Sequence, residues 1–245
     1  MRSFWSEPFL WIHLSGAAVL PIFLGLCLLG LAVGSPVIPV QLEVFLVGVT
    51  GIFPVLWMQW FRPFYIFSLL VAAVKPEKLT NAQQQILTRF KTKLNQAIAF
   101  FVAVLLAVVL WQLYREAPLA ASVAPFPPSW RWAGLLLAAF AFLASNLFLQ
   151  VSASVAAVLL APESEMAATK PYVLEKIRDN FTIALWQVDR LLPTFVGEKT
   201  VGEGAPEESA NPQPAIGNSS VESIVNPQTD DSNGATSLPQ QSLEK

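Results

Sequence analysis

Residues 10–33 read LWIHLSGAAVLPIFLGLCLLGLAV, a run of 24 residues without Asp, Glu, Lys or Arg. A bilayer core is crossed by a helix of roughly 20 apolar residues whose backbone hydrogen bonds are all internal. This stretch therefore predicts a first transmembrane helix. The composition agrees, because 54% of the chain is hydrophobic and only 13% is charged, too little polar surface for a protein that faces water.

Three further apolar runs, at 42–60, 96–114 and 132–160, meet the same requirement. The second has Glu43 at its mouth, and the fourth is long enough that its last turns should tilt or emerge into water. The predicted fold class is all-α. It is a polytopic membrane protein whose four transmembrane helices form a bundle over 1–161, with cytoplasmic amphipathic helices and a disordered C-terminal tail.

Lys and Arg are divided unevenly between the connections, and positively charged flanks resist translocation. The N-terminus, the connection 61–95 and residues 161–199 together carry twelve of them, whereas 34–41 and 115–131 carry two. Both termini are therefore predicted to be cytoplasmic. Ala32, Val33 and Gly34 resemble a signal-peptide cleavage site, but the apolar run outlasts the usual h-region, so an uncleaved signal-anchor helix is expected.

The connection between the second and third runs has structure of its own. Residues 64–74 are apolar but too short to span, so they should lie in the interface or be tucked against the bundle. Thr80 and Gln83 then form a capping-box pattern. It predicts a helix over 81–95 that runs directly into the third crossing.

After the fourth run, residues 162–196 are predicted to form a cytoplasmic amphipathic helical segment. Its apolar positions step by three and four, as a helical face requires. The members of this stripe are Leu174, Ile177, Phe181, Ala184, Val188 and Leu191. Two uses compete: an intramolecular lid packed on the 81–95 helix and the membrane surface, or a face that binds a partner.

Residues 197–245 hold 8 acidic and 2 basic side chains and scarcely any large apolar residue. Such a composition buries too little surface to offset its ordering entropy, so this tail is predicted to be disordered. It is either a functional tether or bristle, or a poorly constrained extension.

The opening fourteen residues, MRSFWSEPFLWIHL, resemble the start of a cyanobacterial family of membrane proteins with a low-complexity tail. The resemblance extends over the body up to about residue 196, with the tail shared only in character. It implies a thylakoid or plasma membrane location and brings no activity with it.

Candidate chemistry is sparse. The chain has one Cys and one His, so a metal site is not expected and neither is a disulfide framework. His13, one turn inside the first helix, is either a hydrogen-bonded structural histidine or, as the weaker hypothesis, a ligand for chlorophyll or haem. No other cofactor is expected.

Asn146 and Gln150 lie four residues apart on the fourth helix and so share a face. Polar side chains there form an interhelix polar cluster or, alternatively, line a solute path. Glu43 at the outer edge of the second helix is interpreted as part of a hydrated rim rather than as a proton relay. Gly30 and Gly34 allow close helix packing, either within the monomer or in a homodimer.

No nucleophile elbow, phosphate-binding loop or dinucleotide fingerprint occurs in the sequence, so an enzyme is not expected. Nucleic acid is not an expected partner either, because lipid headgroups account for the Lys and Arg residues. Three functions remain open. They are a non-catalytic scaffold or assembly factor for other membrane proteins, a small-solute transporter or channel, and a pigment or haem carrier through His13.

Overall fold

The structure, a computed structural model, describes residues 3–69, 72–183 and 186–192 of the chain. These belong to one compact unit, Met1–Val196. In chain order the helices are α1 (Pro8–Ser15), α2 (Leu20–Leu31), α3 (Val40–Phe61), α4 (Asn81–Phe90), α5 (Lys93–Glu116), α6 (Arg131–Leu160), α7 (Glu163–Ala168) and α8 (Ile177–Asn180), and the strands are β1 (Ser68–Leu69), β2 (Ala72–Val74) and β3 (Trp186–Val188). The predicted tail, 197–245, and Ala184 lie outside the described residues.

Four helical segments are long and apolar enough to cross a membrane, which confirms the predicted fold class of a four-span protein. They are the first span Pro8–Leu31, the second Val40–Phe61, the third Lys93–Val123 and the fourth Pro128–Leu160. A 3-10 turn at Gly16–Val19 separates α1 from α2. Pro21 at the start of α2 explains this break, because proline has no N–H to donate and its ring clashes with the preceding turn.

The fourth span lies at the centre of the bundle. It runs antiparallel to the first span. Towards the end of the fourth span, the Ser152 hydroxyl donates to the carbonyl of His13, near the start of the first, at 2.9 Å. Near its other end, Gly30 and Gly134 meet so closely that a Cβ on Gly30 would lie 2.6 Å from the Gly134 oxygen. The Gly30 packing predicted within the monomer is therefore present. A homodimer through Gly30 and Gly34 stays a prediction, and it would have to displace the fourth span.

We call the face reached by Pro8, Phe61, Lys93 and Leu160 the basic face, and the opposite one the short-loop face. Two apolar cores occupy these ends. The core at the short-loop face is built from the spans and the residues that directly follow them, around Cys27, Leu106 and Phe142. The core at the basic face joins the spans to the chain segments 62–92 and 161–192, which we call the cap.

The described residues of the segment 64–74 are tucked against the bundle, the second of the two predicted placements. Tyr65, Ile66 and Phe67 are fully buried. β1 and β2 pair antiparallel, with Ser68 opposite Ala73. The Tyr65 hydroxyl donates to the Val74 carbonyl at 3.0 Å, and burial raises the pKa of this phenol.

The helix predicted over 81–95 starts as expected but does not continue. Thr80 and Gln83 form the capping box that begins α4. The helix ends at Phe90, because the Thr92 hydroxyl accepts from Asn95 N and caps a new helix, α5. Asn95 Nδ2 also donates to the Phe90 carbonyl at 2.9 Å, so side chains replace the helical bonds there.

The amphipathic helix predicted over 162–196 is wrong: only the short helices α7 and α8 and a 3-10 turn at Leu174–Lys176 lie there, and the chain is not helical beyond Asn180 in the described residues. Ile177 and Phe181 are fully buried in the cap, but the chain then extends and β3 pairs parallel with β2, placing Val188 opposite Val74. β-branched and aromatic residues favour strand here. Lys75 N completes the join by donating to the Val188 carbonyl at 3.0 Å.

The helical stripe is thus divided between two kinds of structure. Leu174 lies in a 3-10 turn with 36% of its surface exposed. Leu191 is partly buried against the basic-face core. The three-four spacing of these apolar residues therefore does not mark one continuous helical face.

Candidate functional site

Asn146 and Gln150 lie fully inside the bundle, where they connect three spans. Asn146 Nδ2 donates to the Gly51 carbonyl on the second span at 2.9 Å. Gln150 Nε2 donates to Asn146 Oδ1 at 3.1 Å and to the Ala99 carbonyl on the third span at 3.4 Å. The two side chains therefore act as interhelix polar contacts.

The absence of a side chain at Gly51 allows α3 and α6 to approach closely enough for the Asn146 contact. A Cβ at Gly51 would lie 2.4 Å from a ring carbon of Phe142, so only glycine lets α3 approach α6 this closely. The close approach brings the Gly51 carbonyl within reach of Asn146. Small residues commonly have this role where helices pack in membranes.

Several polar atoms near this pair have no hydrogen-bond partner among the described residues. They are both amide atoms of Gln59, the side-chain oxygen of Gln150 and the hydroxyl of Ser154. All three residues are at least 98% buried. A buried polar group without a partner costs about 1–3 kcal/mol, so these atoms are an energetic cost within the bundle.

Helical register places these groups along two aligned stripes of the bundle. Gly51, Val55 and Gln59 recur every four residues as the buried stripe of α3. Asn146, Gln150 and Ser154 recur at the same interval on α6. Because α3 and α6 run in the same direction, the contact between Gly51 and Asn146 continues towards the basic face as a polar layer. We call it the polar layer.

A second polar centre lies at the short-loop face, where Glu43 and Arg131 form a buried ion pair. Glu43 is fully buried, so its interpretation as part of a hydrated rim is wrong. Arg131 Nη1 also donates to the Leu31 carbonyl at 2.6 Å and the Val33 carbonyl at 2.9 Å. The Tyr114 hydroxyl donates to Glu43 at 3.3 Å, so this centre connects all four spans.

An open cavity of about 520 Å³ lies beside the ion pair. Its wall is mostly apolar and includes Leu31, Pro36 and Phe126, with Ser35, Tyr114 and Arg131 as the polar members. The volume lies within the range of small-molecule sites, but Arg131 is already neutralised by Glu43. Neither group is left as a free charge for a ligand.

His13 makes structural hydrogen bonds. Its Nδ1 lies 2.8 Å from the Phe9 carbonyl, and a further backbone contact joins the ring to Ser68. The ring also lies 5.5 Å from that of Phe64, measured between centroids. Chlorophyll or haem ligation by His13 stays a prediction.

Residues 6–193 match the family described as low-complexity tail membrane protein-like. The chain belongs to this family. The match covers the four spans and the described cap, so the architecture above is that of a member of this family. No curated protein matches the chain, and no solved structure does.

Two residues of these centres were not singled out from the sequence. Arg131 lies at a predicted loop boundary, and an arginine beside Trp132 is ordinary at a membrane interface. Gln59 lies within an aromatic cluster that suggested the same interface. The available signal was spacing: Gln59 is eight residues, or two helical turns, from Gly51 on α3.

Proposed function

We propose that this protein is a non-catalytic membrane scaffold or assembly factor that binds another membrane protein through its cap. The supporting observation is β3. The sheet order β1-β2-β3 makes β3 an edge strand, and within the described ranges no further strand pairs with it. Trp186 on β3 has 65% of its surface exposed, and exposed strand edges with aromatic side chains are common partner sites.

The bundle interior supports a structural role as well. Asn146 and Gln150 donate to helix carbonyls, and the one buried ion pair among the described residues is internally neutralised. These contacts hold the spans in a fixed arrangement. A rigid bundle is what a scaffold needs, because a preorganised surface loses less entropy on binding.

The partner can be tested by affinity purification of the full chain from its native membrane in mild detergent. We expect a stoichiometric membrane protein to co-purify with the wild type and to be lost from Trp186→Ala. Trp132→Ala is the matched control, because Trp132 is 55% exposed on the fourth span. Recovery of the chain alone, or equal loss from both variants, would contradict the proposal.

The same proposal places both termini and the cap in the cytoplasm. Up to residue 199, twelve Lys and Arg residues lie on one side and two on the other, which supports this orientation. Single cysteines introduced by Lys170→Cys in the cap and Val37→Cys in the connection between the first two spans, where Val37 is 60% exposed, can be labelled with a membrane-impermeant maleimide in a Cys27→Ala background. We expect intact cells to label only the second; the reverse result would invert the topology.

A plasma or thylakoid membrane is the proposed location. Separating the two membranes by density and probing the full chain by immunoblotting tests this. Recovery in an aqueous fraction without detergent would contradict membrane insertion altogether.

A second candidate, a channel or transporter for a small polar solute, is favoured by the polar layer. The unpaired atoms of Gln59, Gln150 and Ser154 would accommodate such a solute. Stopped-flow shrinkage of proteoliposomes, with water and glycerol as permeants, measures this activity. We expect Asn146→Leu combined with Gln150→Leu to reduce permeation if the layer conducts, and an unchanged rate would exclude this route.

A further inference from the structure

Two cations converge where the second and third spans meet the cap. Arg62, directly after α3, donates from Nη2 to the Arg178 carbonyl at 2.8 Å and to the Phe181 carbonyl at 3.3 Å. Lys91, directly after α4, donates from Nζ to Asn180 Oδ1 at 2.5 Å. Both side chains therefore contact the same short segment, 178–181.

The acceptors of these bonds are neutral, so the charges of Arg62 and Lys91 are not compensated by their partners. The cap acids that form ion pairs are used elsewhere: Glu77 pairs with Arg178, Glu165 with Arg89 and Asp189 with Lys75. In the described part of the chain, no carboxylate forms an ion pair with Arg62 or Lys91. Burial and the nearby charge of Arg62 lower the pKa of Lys91.

Arg62 and Lys91 lie at the depth of the bilayer surface. Gln96 Nε2 donates to the Trp60 carbonyl at 3.3 Å, so the start of α5 is held against the end of α3. Lys93, the first residue of α5, is exposed and adds a third cation at this level. We call Arg62, Lys91 and Lys93 the cation cluster.

An apolar surface lies directly on the membrane side of the cation cluster. Trp57, Trp60, Phe61 and Leu94 have 56%, 46%, 55% and 61% of their surfaces exposed. The rings of Trp57 and Phe61 pack with centroids 4.4 Å apart. Aromatic residues at this depth contact the glycerol and upper acyl region of lipids.

We propose that the cation cluster binds the phosphate of an anionic phospholipid, whose acyl chains lie along Trp57, Trp60 and Leu94. A lipid phosphate accepts hydrogen bonds from guanidinium and ammonium groups and supplies the missing negative charge. A zwitterionic lipid fits less well, because its ammonium group would lie among three cations. A soluble phosphate would gain the charge contacts but not the apolar ones.

Native mass spectrometry of the full-length protein tests this site. The protein is released from mild detergent after incubation with phosphatidylglycerol or with phosphatidylcholine of the same acyl chains. We expect preferential retention of phosphatidylglycerol. Lys91→Gln combined with Lys93→Gln should weaken this retention about tenfold or more, since each cation near a lipid surface contributes about 1 kcal/mol.

The matched control is Lys170→Gln combined with Lys176→Gln, which removes the same charge from exposed cap positions. Equal weakening in both double variants would reduce the effect to diffuse attraction and overturn the proposal. Equal retention of phosphatidylcholine would overturn it too. Displacement of the lipid by millimolar inorganic phosphate would also overturn the proposal, because it would indicate a site for free anions instead of a lipid site.

Folding of the variants is checked by thermal unfolding followed by circular dichroism. Lys93→Gln alone serves if the double variant is unstable, because Lys93 is exposed at the surface. Arg62→Lys keeps the charge but loses the planar donor pair. It should retain part of the lipid preference, and full retention by Lys93→Gln together with Arg62→Gln would contradict the assignment.

Discussion

Arg131 illustrates how a residue's partner decides its cost inside a membrane. Alone at this depth a guanidinium is unfavourable, but here it donates to Glu43 and to two carbonyls at the end of the first span. The sequence predicted neither the burial of Glu43 nor the pairing, because each charge lies at the end of an apolar run. By contrast, the interior position of Asn146 and Gln150 followed from their four-residue spacing.

Replacing Arg131 by Met should destabilise the protein by about 3–5 kcal/mol, because Glu43 would remain buried without its counter-charge. The free energy of unfolding in mixed detergent–SDS micelles measures this. Glu43→Gln combined with Arg131→Met should lose less than Arg131→Met alone. If the double variant is the less stable, the ion pair does not account for the loss.

Gly30 and Gly25 offer a matched pair on the first span. Gly30→Ala should destabilise by about 1–3 kcal/mol, because the new Cβ would overlap the backbone of Gly134. Gly25→Ala, where nothing lies within 4 Å of the new Cβ, should be neutral or slightly stabilising. Thermal unfolding midpoints in detergent compare the two, and equal shifts would contradict the close packing.

At the scale of elements, local signals were sufficient where a side chain acts on its own helix. Thr80 and Gln83 predicted the start of α4 because a capping box is a local pattern. The ending of α4 depends on Thr92 and Asn95, which also bind backbone locally but were read as part of a continuing helix. β3 was not predictable from its own residues, because its pairing with β2 joins positions more than one hundred residues apart.

Thr80→Ala should lower the free energy of unfolding by about 1 kcal/mol, because Gln83 N would lose its acceptor at the start of α4. Thr80→Ser keeps a hydroxyl and should stay close to the wild type. Hydrogen exchange of the peptide over 81–90 should accelerate only in Thr80→Ala. Unchanged exchange there would show that the cap does not limit opening of α4.

For the whole molecule, composition and the four apolar runs were enough to predict a four-span protein. The arrangement of the spans was not, because lipid-facing and bundle-facing residues are both apolar and carry little periodicity. Small residues at Gly30, Gly51 and Gly134 determine which helices approach closely. Their contacts became evident only in the structure.

A chain ending at Val196 should unfold at the same temperature as the full chain, within about 2 °C. The family match ends at residue 193, and the compact unit ends at Val196, so the stabilising contacts described above are retained. Differential scanning fluorimetry of both chains in one detergent measures this. A marked loss of stability would assign the tail a role in holding the fold.

The central position of the fourth span has a consequence for biosynthesis. The ribosome synthesises this span last. Until then, the first three spans lie in the membrane with Gly30 and Gly51 facing lipid or the insertion machinery. The strand pair β1 and β2 gains β3 even later, because β3 is synthesised after the fourth span. The polypeptide therefore cannot complete its native packing during translation of its first half, and a premature stop before Pro128 would release three helices that lack their common neighbour.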